Sequence, residues 1–207
     1  MTTRPATAIE GLVLLRHPRP AVAPGICYGR LDLGLDLGLG GGAADEIERA
    51  LRATPRSRFV VTSPALRTRA LAEALAARDG RVPAEDARLL ELDFGRWEGQ
   101  PWSRIDRAES DPWAADPLNL APPGGERFRD LLARVGAALS DYPPGSVIVT
   151  HAGPIRAARM IAEGMSFDAV FAAPVPFATP IAVSAVAARL SAEIAFDDTG
   201  SGRSWRI

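Results

Sequence analysis

Gly11-Leu12-Val13-Leu14-Leu15 is an uncharged run of five residues, and Arg16-His17 follows it at once. A run this short is about the length of a strand buried on both faces of a sheet. Two further runs share its form: Arg58-Phe59-Val60-Val61-Thr62 and Ser146-Val147-Ile148-Val149-Thr150, both rich in β-branched residues. Ala-rich, helix-like stretches lie between them, at about Ala43 to Arg52, Ala65 to Arg78 and Arg127 to Ser140. In the second, Leu66, Ala70, Leu71, Ala74 and Leu75 recur at helical spacing with Arg and Glu between them. Pro122-Pro123-Gly124-Gly125 and Tyr142-Pro143-Pro144-Gly145 bound the third. Strands alternating with helices predict an α/β fold with a mainly parallel central sheet.

The 207 residues suit a single domain, with a loop or helical excursion over about 91–126 that carries Trp97, Trp102 and Trp113. The stretch Ile181 to Phe196 alternates weakly and predicts one or two more strands. Leu31 to Gly42 ends in a glycine cluster, but no strand leads into it, so it reads as a loop entering a helix rather than a dinucleotide-binding turn. Net charge is −1, which gives no global field for nucleic acid or an anionic membrane. Any bound anion must then be held by a local cluster of positive groups. One cysteine, Cys27, fits a reducing compartment, and Met1 to Glu10 lacks the apolar run of a signal peptide. The expected location is cytoplasmic.

The three strands end in residues of one kind. The first gives Arg16-His17, the second Ser63-Pro64-Ala65-Leu66-Arg67, and the third His151-Ala152-Gly153-Pro154-Ile155-Arg156. Ligands of open α/β sheets bind outside the carboxyl ends of the strands, so these residues should converge on one crevice. Helix N-termini beside it are expected to add backbone donors and positive dipole ends. The chain has two histidines, and both fall at these strand ends. Paired Arg and His around helix starts make a site for phosphate, whose oxygens match the arginine fork. Two His more than a hundred residues apart are a thin ligand set for a metal-dependent hydrolase.

With Arg16-His17, Ser63-Pro64-x-x-Arg67, a mid-chain Glu and Thr150-His151-Ala152-Gly153 in this order, the chain resembles the histidine phosphatase (phosphoglycerate mutase-like) superfamily over about residues 11 to 160. Finer details resemble its α-ribazole phosphatase branch, which acts in cobalamin nucleotide-loop assembly. They are Cys27-Tyr28-Gly29-Arg30-Leu31-Asp32, Glu91-Leu92-Asp93-Phe94-Gly95-x-Trp97-Glu98-Gly99, and Pro122-Pro123-Gly124-Gly125-Glu126. One departure is Pro18, where the superfamily usually has Gly; proline fixes φ and removes an N–H that could touch phosphate.

The resemblance implies a three-layer α/β/α fold and a phosphomonoesterase that needs neither metal nor cofactor. His17 is then the nucleophile, and Arg16 and Arg67 hold the phosphate oxygens. His151, protonated, donates to the transferring phosphoryl group. Glu91 acts as general acid and then general base, holding its proton near phosphate by partial burial and negative neighbours. Spacing alone leaves Asp93 and Glu98 as rivals; the family pattern selects Glu91. Tyr28, Gly29, Arg30 and the Glu126 loop are expected on the leaving-group side. The expected partner is a small phosphomonoester, α-ribazole 5′-phosphate first, and a homodimer is compatible with the sequence. Alternatives are a phosphatase for another metabolite, a phosphoglycerate mutase, or an inactive relative that only binds phosphorylated ligands.

Overall fold

The computed structural model describes residues 11–38 and 42–183. The reading of Met1 to Glu10, and of any strand beyond residue 183, lies outside the described residues. Five strands form one sheet: β1 (Leu12–Arg16), β2 (Val60–Thr62), β3 (Ala84–Glu85), β4 (Val147–Thr150) and β5 (Pro180–Val183). Their order is β3-β2-β4-β1-β5, and only β5 runs antiparallel. The three apolar runs thus supply the three central strands, as the pattern predicts. Proline at the first residue of β5 removes no ladder bond from the strand interior.

Alternation along each strand divides the core into two layers. Leu12 and Leu14 of β1, Val61 of β2 and Ile148 of β4 face α4 (Phe128–Asp141) and α5 (Ala152–Glu163). Val13 and Leu15 of β1, Val60 of β2, and Val147 and Val149 of β4 face α1 (Ala43–Ala53) and α2 (Leu66–Ala77). The result is the expected α/β/α sandwich. Leu15 and Ile148 sit fully buried on opposite faces, where truncation to Ala costs about 2–5 kcal/mol.

The excursion is built from short pieces. One 3₁₀ turn (Ala87–Leu89) leads into it, and two more (Gly95–Trp97 and Trp102–Arg104) precede α3 (Arg107–Ala115) within it. It has a small core of its own, in which Cys27, Trp97 and Ile105 are buried beneath Phe94, Trp102 and Trp113. Trp97 donates its indole N–H to Glu109 at 2.9 Å, so it is packed structure rather than an open stacking surface. A final short helix, α6 (Phe167–Ala172), returns the chain toward β5. No helix among the described residues is long and apolar enough to cross a membrane.

Candidate active site

Parallel register brings the three strand ends together. β4 lies between β2 and β1, with Thr150 opposite Arg16 and Val149 opposite Thr62. The next residue along each strand is therefore His151, His17 or Ser63. The two imidazoles meet edge-on, with ring centroids 5.2 Å apart, and His151 Nε2 lies 2.8 Å from Ser63 Oγ. Arg67 enters from the first turn of α2 and Arg16 from the end of β1.

His17 Nδ1 lies 2.7 Å from the carbonyl oxygen of Pro18. A carbonyl only accepts, so Nδ1 carries the hydrogen and Nε2 keeps the lone pair. The departure at position 18 therefore leaves this contact intact, because what the residue supplies is a carbonyl, which proline retains. The next backbone N–H, that of Arg19, is taken by Glu46 at 2.6 Å.

The arginines are fixed by carbonyls. Arg67, 1% exposed, donates its Nη atoms to the carbonyls of Leu31 (2.6 Å) and Gly29 (2.5 Å). Arg16 donates Nη1 to the carbonyl of Val175 at 3.0 Å and lies 3.9 Å above the Phe177 ring. Among the described residues, Arg16 Nε, Arg67 Nε and His151 Nδ1 are buried without a partner. Buried polar atoms are costly to leave unpaired, so two guanidinium N–H groups and a ring nitrogen without partners at these strand ends suit an anion site.

Burial, and after it the charge of Arg67, pushes the pKa of both His17 and His151 well below the ordinary histidine value. Both causes favour the neutral imidazole of His17. The same causes disfavour a charged His151 in the protein by itself, whereas the expected protonated His151 belongs to the phosphate-bound state. A phosphate dianion would oppose the charges of Arg16 and Arg67 and favour its protonation. The Cys27 thiol, fully buried beside Glu98, is pushed up to about 12 and is inert.

The three acids separate clearly. Glu91 reaches the start of α5, where its carboxylate accepts from Gly153 N at 3.0 and 3.3 Å and from its neighbour Leu92 N at 2.9 Å. A Cβ on Gly153 would collide with Glu91 Oε1, so the glycine is required for this approach. Asp93 instead accepts from Gly95 N at 2.8 Å and pairs with Arg30. Glu98 accepts from the backbone of Arg30, Leu31 and Phe94 at 2.7–3.0 Å, bracing two loops together. The helix-terminus expectation changes accordingly. Gly153 N at α5 is occupied by Glu91, and Leu66 N at α2 by Asp32 at 2.7 Å, so protein carboxylates meet these donors.

Tyr28 and Gly29 do border the site. Tyr28 faces the Arg67 guanidinium at 5.6 Å, and Gly29 supplies one of its carbonyls. The Arg30 side chain turns away to Asp93 and Glu126, at 3.5 and 3.3 Å, and so acts as a strut. Sequence reasoning missed Arg134, which binds Glu126 through two bonds and the carbonyls of Arg88, Leu90 and Glu91 at 2.7–3.0 Å. Its only signal was a charge at helical spacing from Leu131 and Ala138 in α4. Ser63 was signalled by its place at a strand end; Phe177 had no signal at all.

Comparison with known proteins agrees with this geometry. The model of the histidine phosphatase superfamily (branch 1) matches residues 12–189. The bifunctional protein Rv2228c of Mycobacterium tuberculosis (strain ATCC 25618 / H37Rv) is 36% identical over 107 aligned positions, which cover 47% of this chain and 29% of the relative. The match thus spans less than a third of that relative's length. Among solved structures, TTHB049 from Thermus thermophilus is 28% identical with a TM-score of 0.67, covering 83% of this chain and 92% of that one. The mycobacterial glucosyl-3-phosphoglycerate phosphatase Rv2419c is 25% identical with a TM-score of 0.68, covering 81% and 86%. A phosphoglycerate mutase from Thermus thermophilus is 27% identical with a TM-score of 0.64, covering 83% and 91%.

Proposed function

The chain belongs to the histidine phosphatase superfamily, whose members are phosphatases and mutases, and from that premise we propose that it hydrolyses a small phosphomonoester through a phosphohistidine on His17, without a metal. The observation that carries this reading is the set of buried nitrogens without partners at the strand ends: Arg16 Nε, Arg67 Nε and His151 Nδ1, a donor once the ring is protonated. They are placed to take the non-bridging phosphate oxygens and to stabilise charge as the phosphoryl group transfers. His17 Nε2 attacks phosphorus, the ester P–O bond breaks, and Glu91 gives a proton to the departing oxygen. Water then attacks phosphorus, Glu91 takes its proton, the N–P bond breaks and inorganic phosphate leaves.

Within this class the first substrate is α-ribazole 5′-phosphate. Support comes from the motifs around Cys27–Asp32, Glu91–Gly99 and Glu126, which meet at Arg30 through the Glu91 carbonyl, Asp93 and Glu126. A phosphorylated glycerate is the second reading, favoured by likeness to the glucosyl-3-phosphoglycerate phosphatase and the phosphoglycerate mutase. Turnover across a panel of phosphomonoesters with EDTA present tests both. Hydrolysis of α-ribazole 5′-phosphate well above the rest supports the first substrate. Activity confined to phosphoglycerates and stimulated by a bisphosphorylated cofactor replaces it with the second. No turnover on any ester, with tight phosphate binding, removes the enzymatic reading.

A further inference from the structure

One peptide unit, the one joining Pro18 to Arg19, stands between the His17 imidazole and a buried carboxylate. Its carbonyl oxygen accepts from His17 Nδ1 at 2.7 Å, and its N–H donates to Glu46 Oε2 at 2.6 Å. Glu46 lies in the first turn of α1 and is 6% exposed. A glutamate is seldom buried so far unless it is paired, because taking its charge out of water is costly. Its one ion-pair partner among the described residues is the Arg19 side chain, 3.7 Å away and more than half exposed, where solvent screens the pair. The start of α1 favours the negative charge through the helix dipole.

The loop after the nucleophile does not need this carboxylate to hold its course. The carbonyl of Arg19 accepts from Asp36 N at 3.0 Å, Ala21 N donates to the carbonyl of Gly34 at 2.9 Å, and Pro20 bridges Leu35 between them. What stays adjustable is the tilt of the 18–19 peptide plane, set by ψ of Pro18 and φ of Arg19, since proline fixes only its own φ. Glu46 fixes that tilt from the N–H side, and a charged acceptor makes a bond about twice as strong as a neutral one. Bonds in series polarise one another, so a carboxylate on the N–H raises the negative charge on the same unit's oxygen and strengthens its bond to Nδ1–H. The ring becomes cationic as Nε2 bonds phosphorus, which is when a stronger acceptor at Nδ1 counts most. We propose that Glu46 is a positioning residue for the nucleophile, acting through the Pro18–Arg19 peptide to hold the His17 ring with its hydrogen on Nδ1 and Nε2 free for phosphorus. The proposal rests on the phosphatase reading of the strand-end site.

Because the chain has two histidines, the ring can be read directly by NMR of protein isotope-labelled at the histidine nitrogens. A nitrogen that bears the hydrogen and one that keeps the lone pair resonate far apart, and His17 is assigned by its loss in His17→Ala. The wild type should carry the hydrogen on Nδ1, and Glu46→Ala should mix the two tautomers. Glu46→Gln keeps the shape and a neutral acceptor, guards against misfolding, and should fall between them. In parallel, kcat/KM for a phosphomonoester should drop about tenfold in Glu46→Ala and about threefold in Glu46→Gln, the worth of one charge-assisted hydrogen bond. Inhibition by inorganic phosphate should stay within about twofold, because Arg16 and Arg67 are untouched. Ring signals that stay put in both variants overturn the proposal, and a loss of turnover alongside them makes Glu46 a brace of the loop. Turnover in Glu46→Ala equal to the wild type, or phosphate affinity that falls in step with kcat/KM, also overturns it. A wild type that hydrolyses no ester removes the phosphatase reading instead, and the ring signals still decide whether Glu46 orders His17.

Discussion

The strand-end pocket and the aromatic cavity between the excursion and α6 differ in how the chain makes them. The first is assembled where three parallel strands end in register, so the side chains of His17, Ser63 and His151 are placed by the sheet itself. The second is assembled from single 3₁₀ turns, α3 and a six-residue helix much further along the chain. A rigid scaffold holds the groups proposed to act on phosphate; irregular segments surround it. The consequence is that the two regions should respond to different substitutions.

The largest effect is expected at the sheet. His17→Ala should reduce phosphomonoester turnover to background, whereas Trp102→Ala should leave most of it, measured by phosphate release. Equal loss in both would mean that the two regions are one structural unit. Glu91→Gln should slow turnover by ~10²–10⁴, the usual worth of general acid catalysis, with poor leaving groups hurt most. Gly153→Ala should fall in the same direction without touching the acid, because its methyl group would displace Glu91 from the start of α5. A leaving-group dependence unchanged in both variants would point to another acid.

Acid should destabilise the sheet side specifically. Both histidines have folded-state pKa values below the unfolded value of about 6.5, so the unfolded chain binds more protons between those limits. Stability is therefore complete above about pH 6.5 and is lost as pH falls below it, by at most ~1.4 kcal/mol per pH unit for each histidine. These are the only histidines in the chain, and Asp86, held near 2 by Arg88, loses its contribution only at lower pH. Urea unfolding at pH 7 and pH 5.5 should show the loss, and His151→Asn should remove part of it. The smallest effect is expected from Pro18→Gly, which keeps the carbonyl that orders His17 and relaxes only the unfolded chain, by about 0.4–1 kcal/mol.

The same contrast explains what could be read from the amino acids. Runs such as Leu12–Leu15 and Val147–Val149 declare buried strands by composition, and residues directly after them inherit a position at the sheet edge. His17, Arg67 and His151 were legible for that reason. Glu91 was legible only through the family pattern, since its distinction from Asp93 and Glu98 lies in contacts with Gly153, Arg30 and Phe94. The lowered pKa of His151 was not legible, because burial and the Arg67 charge act across three strands and leave no trace in local sequence. Arg30 reads as a residue of the leaving-group side, and its ion pairs with Asp93 and Glu126 are not legible in the sequence. The aromatic cavity was out of reach: Trp102 and Phe171 have no common period, and only the tertiary fold makes them neighbours.

The central claim is that His17 Nε2 takes the phosphoryl group. Rapid acid-free quenching of the enzyme during turnover of a phosphomonoester, followed by peptide mapping under alkaline conditions, reads this directly. An acid-labile, base-stable phosphoryl group is expected on His17, absent from His17→Ala and longer-lived in Glu91→Gln. A phosphoryl group mapped to His151 or Ser63, or labelling that persists in His17→Ala, would contradict the claim.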